Sequence, residues 1–358
     1  MAAFWNRTRS QPIGIRTEPE NSRQIDDYLA DQIPQDGPGL ALGIVQAGTI
    51  VHAAGYGLAD IQSGSPVLPD SIFHLASCGK QFTGLGILML AEEGKLHLDD
   101  SLAKHLPLTA GFGPQVTIRQ LLHHTSGIRD LYDEAGSDEL LARCERPTNA
   151  DLVGFYAELG CPFVRRGIKP GDTFSYSNSG YDLLGAVIER ASGQSYHDFF
   201  HSRVFEPLGM KDTFSAPDER ASGRRVATGY DLDESDQLAA NGGSAFDALA
   251  GSGSFYTTLP DLFAYDRSLR SYGLIKEAST LEMFTSGRTN NGSSTKYGFG
   301  WFIGSYDGQS LADHEGAWNG FRSYICCYLD TPFSIFVLSN HPEVDLLEIA
   351  NLASDVYA

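Results

Sequence analysis

Ser77-Cys78-Gly79-Lys80-Gln81-Phe82-Thr83-Gly84-Leu85-Gly86-Ile87-Leu88-Met89-Leu90-Ala91-Glu92-Glu93-Gly94 is the stretch from which the rest of the chain can be read. Its apolar run from Leu85 to Ala91, closed by a glycine placed to be the C′ residue, predicts a helix that Ser77 opens. Residues at i and i+3 share a helix face, so the Ser77 hydroxyl and the Lys80 amine are neighbours. An amine set in apolar surroundings has its pKa lowered and can take the proton of a serine that attacks a carbonyl. A place at the helix N-terminus adds unpaired N–H groups and the positive end of the dipole, which favour the oxyanion of that attack. The run is too short and too flanked by charge to span a membrane.

A Ser-x-x-Lys pair turns up by chance about once in a chain of this length, and a second copy stands at Ser293 to Lys296. That copy lies in a Gly/Asn/Ser-rich stretch without helical periodicity, so nothing holds its serine and lysine in register. Taken alone, Ser77 reads as a capping serine followed by a surface lysine; two later segments change the reading. Tyr176-Ser177-Asn178 sits in a loop leading into a helix predicted from Asp182 to Ala191, with Asn178 or Ser179 as its cap. A tyrosine hydroxyl beside a lysine ammonium gives up its proton more readily and can relay protons between nucleophile and leaving group. Asn178 offers a carbonyl and an amide to a substrate peptide group. His314-Glu315-Gly316 begins a β-rich stretch to Tyr328, followed by Phe333 to Leu338, with Asp330-Thr331-Pro332 as the turn between them. Such a strand edge forms one wall of a cleft. Gly316 lets substrate approach the backbone, the N–H of Ala317 joins that of Ser77 in an oxyanion hole, and Trp318 follows as a substrate-binding residue.

With these three segments in this order, the chain resembles the serine beta-lactamase and penicillin-binding-protein-like family, on its class C beta-lactamase, DD-peptidase, D-aminopeptidase and esterase side. Gly55 to Asp60, Leu121 to Ile128, Pro207 to Thr213 and Gly251 to Leu262 resemble further family segments, so the likeness covers roughly residues 20 to 345. The resemblance implies Ser77 as nucleophile, Lys80 and Tyr176 as proton-transfer partners, and His314 at the place where beta-lactamases carry the lysine of Lys-Thr-Gly. It implies an α/β (α+β) fold in which residues 1–75 and 240–358 form one antiparallel sheet flanked by N- and C-terminal helices. A mainly helical region, 76–239, is inserted, and the site lies between the two. Within the outer segments a helix is expected from about Asn21 to Ile33, a hairpin from Leu40 to Gly57 turning near Ala47-Gly48, and a last helix near Asp345 to Val356.

Two departures bear on substrate. A histidine near its reference pKa of about 6.5 is mostly neutral at pH 7, where a lysine would carry a permanent charge for a substrate carboxylate. Glu315, in place of Thr or Ser, puts a carboxylate near the cleft. The expected activity is therefore a cofactor-independent serine hydrolase or acyltransferase on an ester or amide, D-amino-acid peptides included. DD-carboxypeptidase or weak beta-lactamase action is the alternative, and a non-catalytic ligand-binding member of the fold is the alternative of another class.

The rest of the composition is compatible with this. A length of 358 residues with 42% hydrophobic residues supplies a substantial core, and a formal net charge of −19 argues against nucleic acid or an anionic membrane as partner. The expected partner is a small molecule or short peptide, with no metal, no cofactor and no membrane anchor. Cysteines 78, 144, 161, 326 and 327 are odd in number and lack metal-type spacing, so they read as reduced thiols. Cys78 is one step from Ser77 along a helix and points about 100° away, which suits packing. Cys326 and Cys327 fall on opposite faces of a strand. His197 and His201 share a helix face but lack a general-base Glu and a third ligand, His123-His124 end a helix, and no G-x-S-x-G is present. The N-terminus lacks the apolar core of a secretory signal; a complete chain is then expected in the cytoplasm, and one trimmed of a signal in the periplasm or outside the cell.

Overall fold

A computed structural model describes residues 14–112, 115–132, 134–159, 169–215 and 224–358; Cys161 lies outside them. Leu40–Gln46 and Thr49–Tyr56 form the expected hairpin. Its two-residue loop has positive φ at Ala47 and Gly48, the primed geometry whose twist suits a tight hairpin. These strands join the C-terminal ones in a seven-stranded antiparallel sheet. Its order is Gly14–Arg16, Thr49–Tyr56, Leu40–Gln46, Phe333–Ser339, Phe321–Tyr328, Gln309–Trp318 and Phe302–Tyr306.

Both faces of the sheet are covered, which is why its central strands read as unbroken apolar runs. Ile335 and Val337 pack on one face with Leu40, Leu42 and Ile44 against the helices Pro19–Gln32 and Leu346–Tyr357. Phe336 and Leu338 point the other way, into a larger core shared with the helical segments, as the alternation of a strand requires. Cys326 and Cys327 follow the same rule, one in each core. At the centre of the larger core runs Lys80–Glu92, buried at every residue from Lys80 to Leu90 and packed on Asn178–Ser192. A helix buried on every side needs no polar face. Gly94 closes it with φ 70°, as expected.

Candidate active site

The segment that carries Ser77 enters from the short strand Phe73–His74, which pairs with Phe255–Thr257. The chain reverses at Ala76, whose φ of 48° is unusual for a residue with a Cβ and costs about 1–2 kcal/mol. Ala76–Gly79 is a 3-10 turn, and the α-helix proper begins at Lys80, three residues later than the sequence suggested. The i to i+3 geometry of that turn eclipses residues 77 and 80. Lys80 Nζ lies 3.1 Å from Ser77 Oγ, and Ser77 is half-buried while Lys80 is fully buried.

Lys80 Nζ also donates to Asn178 Oδ1 and to the Ser252 carbonyl, both at 2.7 Å. Burial pulls its ammonium below the ordinary lysine range, against Asp182, Asp130 and Cys78, which favour the charge. Two of its three neighbours can only accept. A neutral amine would give its two N–H groups to them and turn its lone pair to the Ser77 hydroxyl, the arrangement a general base requires.

Tyr176 stands across Ser77 from Lys80, whose Nζ is 4.9 Å from the tyrosine ring centroid. Burial raises the Tyr176 phenol, and its hydrogen bond with Ser77 only partly opposes that. This runs against the expectation of an easily deprotonated tyrosine: desolvation dominates, and Tyr176 rests protonated. The following helix runs Asn178–Ser192, four residues earlier than expected, and its cap is Ser177 rather than Asn178 or Ser179. Asp130 makes the early start possible by accepting from the backbone N–H groups of Asn178 and Ser179 at the helix N-terminus. Asn178 is also corrected in part. Lys80 occupies its carbonyl, which leaves the amide for a substrate. His124, at φ 55° just past the helix Ile118–Leu122, accepts the Ser177 N–H and lies under the Tyr176 ring at 4.4 Å between centroids.

On the far wall, Gln309–Trp318 extends past Asp313, its last pairing with Phe302–Tyr306. The two-residue loops Asp307-Gly308 and Asn319-Gly320, all with positive φ, flank it. Each loop makes its flanking residues a hydrogen-bonded pair, and alternate residues then point to alternate neighbours. Counting from either loop gives one answer: His314, Gly316 and Trp318 face Phe321–Tyr328, while Glu315 and Ala317 face the uncovered edge. The Ala317 N–H is thus aimed out of the sheet beside Ser77.

Gly316 serves a purpose besides the expected one. A Cβ there would lie 2.3 Å from Ser323 Oγ and 2.4 Å from the Leu75 carbonyl, so the missing side chain admits the Leu75–Ser77 segment, while Gly316 also lines the broad groove at Ser77. Ser323 Oγ donates to that carbonyl at 2.6 Å, and Cys78 Sγ donates to the His314 carbonyl at 3.0 Å. Burial pushes the Cys78 thiol up to about 12, in keeping with packing. His314 is buried; its Nε2 meets Tyr297 OH at 3.0 Å and its Nδ1 the Glu315 carbonyl. Desolvation first, and then Lys80, lower its pKa to about 3, so the ring is neutral. Because a carbonyl only accepts, Nδ1 carries the proton and Tyr297 donates to Nε2.

Ser77 lies where two cavities meet. A narrow one of about 60 Å³ is lined by Asn178, Tyr132, Phe246, Leu249, Ala317 and Trp318 among others. A broad groove of about 930 Å³ is lined by Tyr176, Phe302, Glu315 and Arg322, with Asp313, Glu343 and Asp345 adding carboxylates. The second Ser-x-x-Lys falls in an exposed turn, with Lys296 at φ 53°. His197 and His201 stack at 6.4 Å between centroids, and among the described residues no group of three side chains suited to a metal forms. Asp130 and Tyr297 had escaped the sequence reading, and Asp182, Ser252 and His124 had been read only as parts of a helix or of a family-like segment, since none lies in a stretch with a local chemical signature.

This fold and site define a class, and the chain belongs to the Beta-lactamase family, a family of serine hydrolases whose model matches residues 25–356. It is 33% identical over 315 residues to penicillin-binding protein 4* of Bacillus subtilis, covering 83% of this chain and 67% of that one. It is 29% identical to protein flp of Staphylococcus aureus, covering 90% of this chain and 63% of the relative, so the chain spans about two thirds of the length of these relatives. The octameric penicillin-binding protein homologue from Pyrococcus abyssi superposes with a TM-score of 0.81 at 29% identity, over 94% of this chain and 76% of that one. Among the described residues no helix is long and apolar enough to cross a membrane.

Proposed function

We propose that the protein forms an acyl-enzyme at Ser77 on a neutral ester or amide, short D-amino-acid peptides included, and releases the acyl group to water or to an amine or alcohol. The observation that carries this reading is the 3.1 Å approach of Lys80 Nζ to Ser77 Oγ, with two pure acceptors holding the other amine positions. Lys80 takes the serine proton as Oγ attacks the carbonyl. The N–H groups of Ser77 and Ala317 receive the oxyanion, and Tyr176 delivers its proton to the departing atom while taking the former serine proton from the Lys80 ammonium, so that both groups end as they began. Tyr176 lines the broad groove and Asn178 the narrow cavity. The leaving group therefore occupies the groove and the acyl group the cavity, where the Asn178 amide and Trp318 hold it. His314 is a neutral support for the strand edge and takes no part as a cation.

Intact-mass analysis after a fluorophosphonate or a slow ester tests this. One adduct on Ser77, absent in Ser77→Ala, is expected; an adduct on Cys78 or Ser293 refutes the assignment. The names of the similar proteins favour a second reading, acylation by penicillin with slow release, which the same experiment with benzylpenicillin reads directly.

A further inference from the structure

Behind Lys80 lies a buried carboxylate that the mechanism above does not use. Asp182 is one helical turn after Asn178 in the helix Asn178–Ser192 and is fully buried. Both of its oxygens accept hydrogen bonds: Oδ1 from the Ser252 N–H at 2.9 Å and Oδ2 from Tyr132 OH at 2.9 Å, a hydroxyl whose other contact, with Ser252 Oγ, is longer at 3.5 Å. The carbonyl of that same Ser252 receives Lys80 Nζ at 2.7 Å. A single residue, Ser252, thus links the carboxylate to the amine. Its placement is enforced from both sides. Gly251 and Gly253 adopt φ of 138° and 157°, and a Cβ at either would come within 2.3 Å of a backbone carbonyl, that of Tyr181 or of Ala76. The backbone here can approach both the Asn178–Ser192 helix and the nucleophile turn only because these positions are bare.

We propose that Asp182 is a positioning residue for the Ser77 reaction. It fixes the Ser252 carbonyl on Lys80 and stabilises the ammonium that forms there when Ser77 gives up its proton. The inference rests on the acyl-enzyme reading above. Burial lowers the Lys80 amine to about 7, which makes its neutral form available; as Oγ attacks, the proton moves from Oγ to Nζ, and a positive charge appears on a buried side chain. Asp182, one residue away through Ser252, has its own pKa raised by burial to about 6; ionised above that pH, it lowers the energy of the new charge without moving. Two acceptor oxygens filled by N–H and O–H donors are the hydrogen bonding of an ionised carboxyl group. Other groups also bear on the amine. Asp130 and Cys78 favour its charge and His124 and His314 are neutral rings beside it, while Tyr176 and Tyr181 present their faces to it. Around Asp182 itself stand Tyr132, Tyr156 and Tyr196. Asp182 is tied through Ser252 to one Lys80 acceptor, and Asp130 through the Asn178 N–H, at the longer distance of 3.3 Å, to the other. Tyr132 carries the link outward, since its ring lines the narrow cavity beside Trp318.

The test is the pH profile of Ser77 acylation by a fluorophosphonate, followed by intact mass, in the wild type, Asp182→Asn and Tyr132→Phe. Wild-type labelling at Ser77 must be present first; its absence refutes the acyl-enzyme reading and not this inference alone. Given labelling, Asp182→Asn keeps the shape and removes the charge. Its acylation rate is expected to fall at least tenfold with the half-saturating concentration within threefold, and its acid limb to move at least one pH unit lower as Lys80 loses a stabilising neighbour. Tyr132→Phe removes a hydrogen bond that helps keep the buried carboxylate ionised, so Asp182 carries less charge beside Lys80 and the limb moves the same way by a smaller amount. A graded shift in one direction, larger in Asp182→Asn, is a signature that a merely structural role does not produce. An unchanged limb in a folded Asp182→Asn overturns the proposal; should that variant not fold, an unchanged or upward limb in Tyr132→Phe overturns it.

Discussion

Gly316→Ala tests how the strand edge and the nucleophile are held together. The new Cβ would sit 2.4 Å from the Leu75 carbonyl oxygen, where ordinary van der Waals contact begins at 3.4 Å. The strand and the nucleophile turn must therefore part by about 1 Å, and neither can yield by rotating a side chain, because the obstructing atom is backbone. Ser323 Oγ, at 2.3 Å from the same position, can rotate away, but only by giving up its bond to Leu75. Ser77 lies two residues beyond Leu75 and Ala317 one beyond Gly316, so the separation falls between the nucleophile and the oxyanion donor. A misplacement of that size costs on the order of 10²-fold in rate, or about 2.7 kcal/mol of transition-state stabilisation. Overpacking of this kind costs about 1–3 kcal/mol of stability.

The assay is kcat/KM for a nitrophenyl ester alongside the thermal midpoint of the same preparation. The expected result is a hundredfold loss of kcat/KM in a protein that still melts cooperatively, with no rescue when Ser323→Ala is added, since the Leu75 carbonyl remains. A folded Gly316→Ala enzyme within threefold of wild type would refute the reasoning, as would full rescue by Ser323→Ala.

Three further outcomes are expected. If Lys80 and Tyr176 act as one unit with Ser77, Lys80→Ala and Tyr176→Phe each cost on the order of 10²–10⁴ in rate and the double variant little more; additive losses in single-turnover acylation would separate their roles. His314→Lys should raise kcat/KM for nitrocefin relative to a nitrophenyl ester, because a permanent cation replaces a neutral ring beside the groove; no relative gain would refute this account of specificity. Burial lowers the pKa of His52 from 6.5 to about 4, with its ring bonded to Ser22 and Tyr56. Its contribution, up to about 3 kcal/mol, is present above pH 6.5 and lost as pH falls towards 4, because the unfolded chain binds the proton first. Thermal midpoints across that window should fall less steeply in His52→Gln, and equal slopes would refute the assignment.

The parts of this molecule that were legible in the sequence are those whose chemistry is local. Ser77 and Lys80 declare themselves by spacing within one helix start, and Ala47-Gly48 by the turn they must make. The sheet, by contrast, joins Leu40 with Ser339, and only the family likeness could pair strands so far apart in the chain. What escaped the reading is packing against remote backbone. Gly316 looked only like an opening for substrate because nothing in the sequence shows that Leu75 and Ser323 crowd it. Tyr176 looked acidic because its amine neighbour was visible from the motif, whereas the rings of His124, Tyr297 and Phe302 that enclose it come from three other segments.

Charge is where these elements converge on a view of the substrate. Lys80 is the cation nearest Ser77, and the mechanism uses it as a base, so it cannot also serve as a fixed anchor. His314, where an anchoring lysine would stand, is neutral because it is buried and hydrogen-bonded on both nitrogens. In the narrow cavity the charged lining residue is Asp247, and its oxygens are taken by Trp318, Asn319 and the Ser244 N–H. In the broad groove Arg322 faces four carboxylates, those of Asp313, Glu315, Glu343 and Asp345. Glu315 is exposed and its charge is largely screened at physiological salt, so the neutrality of His314 weighs more than the presence of that carboxylate. Under the proposed reaction an acyl group would meet amide and aromatic partners and a leaving group an acidic surface, and both would favour substrates without a carboxylate at the scissile end.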